Sequence, residues 1–224
     1  MDHKNTGLMA FWSDIDESYE ARYREWHTTE HIPERVGIPG FLTGQRYGRI
    51  RGGREFFMFY DMESVAVLGS EAYLRALNAP TPWTLESLKH FKNPLRNLYR
   101  KLAERGGTRS AAARYITCIR FNREVQPGSE HADPSDAEFS ALETGDWERI
   151  RHFEIDEAAT GKKTKERDVY GAQPNSQRYL YIVDRNVELT TGEIDHLQKQ
   201  LASIGMKDAE VELYRLDFAM NSAS

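Results

Sequence analysis

Cysteine is almost missing from this sequence. The single Cys118 excludes an internal disulfide framework and a cysteine-based zinc cage. It stands between Ile116 and Ile119, reads as buried, and has no cationic helix end nearby to make it a nucleophile. No uncharged run approaches the ~18 residues of a membrane-crossing helix. The opening Met1-Asp2-His3-Lys4-Asn5 lacks the apolar core of a signal peptide. A soluble, cytoplasmic protein with no membrane partner is therefore expected. Neither charge sign dominates: 30 basic residues stand against 35 acidic ones, net −5, which argues against a nucleic-acid partner. A glycine-rich phosphate loop is also missing. Gly52-Gly53 and Gly106-Gly107 sit in turns without the strand-to-helix context, so no nucleotide site is expected. The basic run Lys162-Lys163-Thr164-Lys165 reads as a solvated loop. What the chain has instead is apolar and aromatic residues, enough over 224 positions for a sizeable core. That length suits one large domain or two repeats of about 110 residues.

The hydrophobic pattern favours two repeats. Gly7-Leu-Met-Ala-Phe-Trp-Ser13 reads as a buried strand. A helix follows from about Asp16 to His31, with Asp14 or Asp16 as its cap. Pro33 should end it near His31 or Ile32, because the residue before proline avoids the helical region. After a turn at Gly37-Ile38-Pro39-Gly40 come strands over Phe41–Ile50 and Glu55–Met62, the latter apolar on both faces. A helix over Ser64–Leu77, a loop over Asn78–Trp83, a short helix over 84–92 and a strand over Leu95–Leu102 complete a β-α-β-β-α-β order. The segment Ala103–Ala112 reads as a linker. The order then repeats: strand Arg114–Phe121, helix Asp133–Leu142, strands Trp147–Glu157 and Gln177–Asp184 around a polar loop at 158–176, helix Thr190–Ile204 stopped by Gly205, and strand Glu210–Met220. The expected division is 1–102, a linker at 103–112, and 113–224. Each α+β unit is ferredoxin-like, an antiparallel sheet with both helices on one face. The bare faces of two such sheets, packed together within one chain, would enclose a barrel, and the space between them is the expected pocket.

The richest stretch is Glu25-Trp-His-Thr-Thr-Glu-His-Ile-Pro-Glu-Arg35. At 100° per residue Tyr19, Tyr23, Trp26 and Glu30 share one arc, with His27 and His31 on its flank. The two histidines are four residues apart and can meet on one face. A buried Glu30 needs a partner, and a histidine held by a carboxylate is a plausible acid–base pair. The plainer readings are a capping or packing histidine, and a Glu30 paired with Arg46 or Arg35. His90 reads as a surface or capping residue. His27-Thr-Thr-Glu30-His31 is also a literal His-x-x-Glu-His, in which both histidines bind zinc and Glu30 is the base. Such enzymes need a third ligand on a later helix and a much larger chain; Glu104 lies at a conceivable distance but in the expected linker, and Pro33 directly follows the motif, which together weigh against a metal.

Trp26 through Pro33, with Pro39-Gly40-Phe41 and Arg46-Tyr47, resembles the dimeric α/β-barrel proteins, closest to the EthD-like branch. The shared features are an aromatic residue, then His-x-Pro at the end of the first helix, matched by His31-Ile32-Pro33, then a Pro-Gly turn and the second strand. The resemblance covers about residues 8–62, and the second unit has no equivalent His-x-Pro. It implies one working site per chain, with His31 as general acid or base. It admits cofactor-free monooxygenases, lactone isomerases, cyclases, lyases and haem enzymes, among which fold does not select.

The leading expectation is a cofactor-independent lyase, isomerase or cyclase acting on a small carbonyl- or phenol-bearing molecule in the barrel pocket. His31 moves the proton, assisted by His27 or oriented by Glu30. Trp12, Trp26, Arg46, Tyr47, Tyr60 and Trp83 are the expected substrate contacts, with no cofactor and no metal. The alternatives are a monooxygenase, cofactor-free or with haem on His31, a small-molecule binding module, and a zinc enzyme using His27, Glu30 and His31. The exposed helices leave room for a homodimer.

Overall fold

Strand alternation and two-residue periodicity produce eight strands, and these close on themselves. The computed structural model describes residues 6–107, 111–123, 134–160, 169, 171, 177–206 and 208–223. Its strands are β1 (Gly7–Ile15), β2 (Phe41–Arg51), β3 (Phe56–Met62), β4 (Phe91–Gly106), β5 (Tyr115–Phe121), β6 (Arg149–Ile155), β7 (Tyr179–Arg185) and β8 (Glu210–Asn221). They form a closed antiparallel barrel in the order β1-β3-β2-β8-β5-β7-β6-β4. Each half contributes four neighbouring strands, and the halves join through β2 with β8 and β4 with β6. The fold is therefore the dimeric α/β-barrel type, built from two ferredoxin-like units in one chain.

The barrel interior is packed. Leu8, Ala10 and Trp12 of β1 meet Phe57 and Phe59 of β3, Tyr47 of β2 and, from the other half, Ile182 and Tyr214. Trp12 stacks on Phe57 with ring centroids 4.6 Å apart. Charges inside the barrel are paired, as burial requires. Toward one end Arg120 binds Glu212 at 2.5 Å and lies over the Trp12 ring. Toward the other, Arg151 binds Asp61 and Asp184, each at 3.1 Å, joining β3 of the first half to β6 and β7 of the second.

The helices cover the outer faces of the sheets. They are α1 (Glu20–Trp26), α2 (Ile32–Val36), α3 (Glu71–Asn78), α4 (Pro82–Ser87), α5 (Asp136–Leu142), α6 (Glu157–Thr160) and α7 (Thr191–Ser203). Gly44 of β2 allows α2 to sit close, since a Cβ there would lie 2.9 Å from both Ile32 and Val36 side chains. Gly205 stops α7 as expected. It adopts φ +90°, and Met206 N–H reaches back to the Leu201 carbonyl.

Several boundaries differ from the sequence reading. Pro33 does not end the first helix. Residues His27–His31 form one wider turn, with Ile32 N–H bonded to the His27 carbonyl, and α2 continues to Val36. Proline has no N–H and its ring collides with the carbonyl four residues back, so the widened turn accommodates it within the helix. Asp16 caps nothing with its side chain and instead binds Lys92 and His90, the latter stacked on Tyr19. The expected Ser64–Leu77 helix is split into a tight turn at Val65–Gly69 and α3, capped by Ser70. The fourth strand starts earlier and runs longer than expected. Residues 103–106 of the expected linker pair with β6. Met1–Asn5 and the basic run at 162–165 lie outside the described residues.

Candidate active site

The cavity that matters lies outside the barrel, between the first sheet and its helices. It measures about 50 Å³. Met9 and Phe11 of β1, Met58 and Tyr60 of β3 and Arg96 of β4 form its floor, and Trp26, His27, His31 and Arg35 its roof. Tyr73 and Leu77 of α3, Leu88 and Phe91 close the sides. The expected pocket between the two sheets is thus corrected: that space is filled by side chains. The physical reason is parity. Even-numbered residues of β1 point into the barrel and odd-numbered ones toward the helices, and the helix side has the spare room.

The helix that forms the roof carries His27, His31 and Arg35 four residues apart. The two imidazoles lie with centroids 5.5 Å apart, and the Trp26 ring is 4.5 Å from His31. His27 is fully buried. His31 is half-buried as a residue, but its Nδ1 is sealed from solvent. The Nδ1 atoms of both have no hydrogen-bond partner. Burial holds each ring well below the usual histidine range. The Arg46 charge and His31 add to this for His27, and the Arg35 charge for His31. Both are neutral near pH 7, the form that accepts a proton. Among the described residues no carboxylate lines the cavity, whereas two guanidiniums do. Arg35 lies over the Tyr73 ring, and Arg96 donates to Met9 Sδ at 3.3 Å and to Tyr73 Oη at 3.4 Å.

The predicted site residues separate into two groups. His27, His31, Trp26 and Tyr60 come together at the cavity. Trp12 and Tyr47 do not: both face the barrel interior, where the single Tyr47 hydroxyl proton lies within reach of Gln45 Oε1 at 2.9 Å and the Ala113 carbonyl at 3.0 Å. Arg46 faces the helices but is engaged elsewhere, donating to Asp217 at 2.7 Å and to Thr28 and the Arg24 carbonyl. Trp83 packs outside the cavity, beneath Arg22. Glu30 turns away from the histidines. Its Oε1 accepts from Trp26 Nε1, Thr81 Oγ1 and Thr84 Oγ1. Among the described residues no group of three His, Cys, Asp or Glu side chains is placed to hold a metal ion. Cys118 is buried in the barrel, which pushes its thiol pKa up.

Sequence reasoning missed Arg35, Arg96, Met9, Phe11, Met58, Tyr73 and Leu77. Arg35 carried a usable signal, since it extends the His27–His31 spacing by one more turn. The others depend on strand parity and on packing between distant segments.

No family model matches the chain, and no curated protein matches it. Solved structures do. An anthrone oxidase-like protein superposes with a TM-score of 0.59 at 8% identity, covering 99% of this chain and 94% of its own. A Fusobacterium nucleatum protein that carries a provisional monooxygenase name gives 0.55 at 6% identity, covering 99% and 96%. A variant of chlorite dismutase from Candidatus Nitrospira defluvii gives 0.55 at 8%, covering 96% and 92%. At such identities these likenesses establish the fold.

Proposed function

We propose that the chain is a cofactor-independent enzyme in which His31, with His27 beside it, takes a proton from a small carbonyl- or phenol-bearing molecule held between helices and sheet. One observation carries the reading. Two neutral imidazoles, each with an unpartnered buried Nδ1, border a cavity that among the described residues is lined by two guanidiniums and no carboxylate. As the imidazole takes the proton, the substrate becomes an enolate or phenolate. Arg35 and Arg96 supply a positive field where that charge develops. Return of the proton to a different atom gives an isomer. Elimination or ring closure from the same anion gives the products of a lyase or cyclase.

A second reading shares the first step and is favoured by the names of the solved structures of like fold. The anion is electron-rich, and dioxygen entering an apolar cavity can oxidise it without a cofactor. For anthrone the balance is anthrone plus O₂ giving anthraquinone plus water. Haem on His31 is not supported. The Trp26 ring covers His31 at 4.5 Å, and the His31 Nδ1 is sealed from solvent.

The test uses anthrone and small 1,3-dicarbonyl compounds in deuterated buffer, with proton exchange read by NMR and dioxygen uptake read by electrode. Catalysed exchange that falls in His31→Ala supports the proton-transfer reading. Stoichiometric dioxygen uptake favours the oxidative branch, and exchange without uptake the isomerase, lyase or cyclase branch. Exchange equally fast in the wild type and in the His27→Ala/His31→Ala double variant contradicts both.

A further inference from the structure

The inner cavity is too small for the molecule it is read to bind. Its volume of about 50 Å³ is roughly a third of the ~150 Å³ engineered cavity known to admit benzene. A ring reaches His31 only if part of the wall moves. Two wall residues, Tyr73 and Arg96, also line a second space. This outer groove of about 500 Å³ runs between the Val65–Gly69 turn, α3, β4 and α6. Its other walls are mostly apolar, among them Leu68, Leu74, Leu98 and Ala159, with Asp156 as the acidic exception. Tyr73 and Arg96 are the residues that the two spaces share, and they are joined by the bond from Arg96 Nη2 to Tyr73 Oη at 3.4 Å.

We propose that cavity and groove are two parts of one binding site, that Tyr73 and Arg96 are its gate, and that the substrate is an elongated amphiphile. Its phenol or carbonyl head lies beside His31, and its alkyl or aryl tail lies along the groove. The inference rests on the reading of the inner cavity as the head-group site and adds the substrate class. Three features favour a tail of the same molecule as the occupant: the shared gate, the undersized inner space, and the apolar walls that begin where the gate ends. Leu74, 43% exposed, lines the groove and is the specificity-determining position for the tail.

The probe is a series of 4-alkylphenols from 4-methylphenol to 4-octylphenol, titrated calorimetrically into the full chain. Each methylene buried in the groove should tighten binding about fourfold, from ~0.8 kcal/mol per buried CH₂. Leu74→Trp, at an exposed position that tolerates bulk, should flatten the series. Tyr73→Phe removes the latch hydroxyl and should speed association of 4-octylphenol severalfold, followed by intrinsic tryptophan fluorescence. A wild-type series with no dependence on chain length overturns the inference alone. So does a dependence unchanged by Leu74→Trp, or an association rate unchanged by Tyr73→Phe. Failure of every member to bind overturns the inference together with the proposed function.

Discussion

The indole of Trp26 and the carboxylate of Glu30 are hydrogen-bonded across one helical turn, Nε1 to Oε1 at 3.2 Å. The same oxygen accepts from Thr81 at 2.5 Å and from Thr84 at 3.1 Å, so the histidine-bearing helix is fastened to α4. Glu30 is thus a positioning residue. Glu30→Ala removes the acceptor shared by Trp26, Thr81 and Thr84 and leaves the Thr84 hydroxyl short of one, at about 1–2 kcal/mol, while Trp26 Nε1 keeps Thr84 Oγ1 at 3.2 Å. The expected melting temperature falls by about 2–4 °C per kcal/mol for a chain of this size. Glu30→Gln keeps an acceptor and should lose less. Differential scanning calorimetry of the two variants checks this. A Glu30→Gln that melts like wild type yet loses all activity would restore the catalytic role.

His31→Ala should lower turnover by about 10²–10⁴, the usual contribution of one positioned acid–base group. The circular dichroism spectrum should stay intact. Full activity in this variant removes His31 from the mechanism.

Three buried histidines make stability depend on pH. His27, His31 and His152 all have depressed pKa values, and that of His152 falls to about 3 through burial and then the Arg123 charge. The folded rings stay neutral below pH 6.5 while the unfolded chain takes up protons. Stability from these groups is therefore complete above the unfolded value and is lost as pH falls. For His152 the window runs from about 6.5 down to about 3. Within it His152 contributes a slope of about 1.4 kcal/mol per pH unit. Denaturant titrations between pH 7 and 5 should show His152→Gln with a slope shallower by about one histidine's worth. An identical slope contradicts the buried neutral ring.

The barrel interior should respond to mutation as core and not as site. Trp12→Ala should cost ~3–5 kcal/mol, as large aromatic truncations do, whereas Trp12→Phe should keep activity near wild type. Arg151→Ala, which leaves Asp61 without its cross-barrel partner, should cost about 3 kcal/mol. Urea unfolding measures both. Selective loss of activity at unchanged stability would place the site inside the barrel after all.

Element order and barrel closure were legible in the sequence, because strand alternation, turn residues and the repeated β-α-β-β-α-β order all agree. The side of the sheet that holds the cavity was not. Phe11 and Trp12 are both large and apolar, and β3 is apolar on both faces, so alternation cannot say which face meets the other half and which meets the helices. The His27–His31 pairing was visible from spacing alone. The turn away of Glu30 was not, since it depends on Thr81 and Thr84, more than fifty positions distant. Pro33 misled because the widened turn before it has no local signature that separates it from a helix end.

The central claim is that ligands bind between the helix bearing His31 and the outer face of the first sheet. The most direct measurement is a crystal of the chain soaked with 4-bromophenol, with bromine located by anomalous scattering. The account predicts a peak in the space bounded by His31, Tyr73 and Arg96, with the phenol oxygen within hydrogen-bond reach of His31. A peak inside the barrel, beside Trp12 or Tyr47, would contradict it.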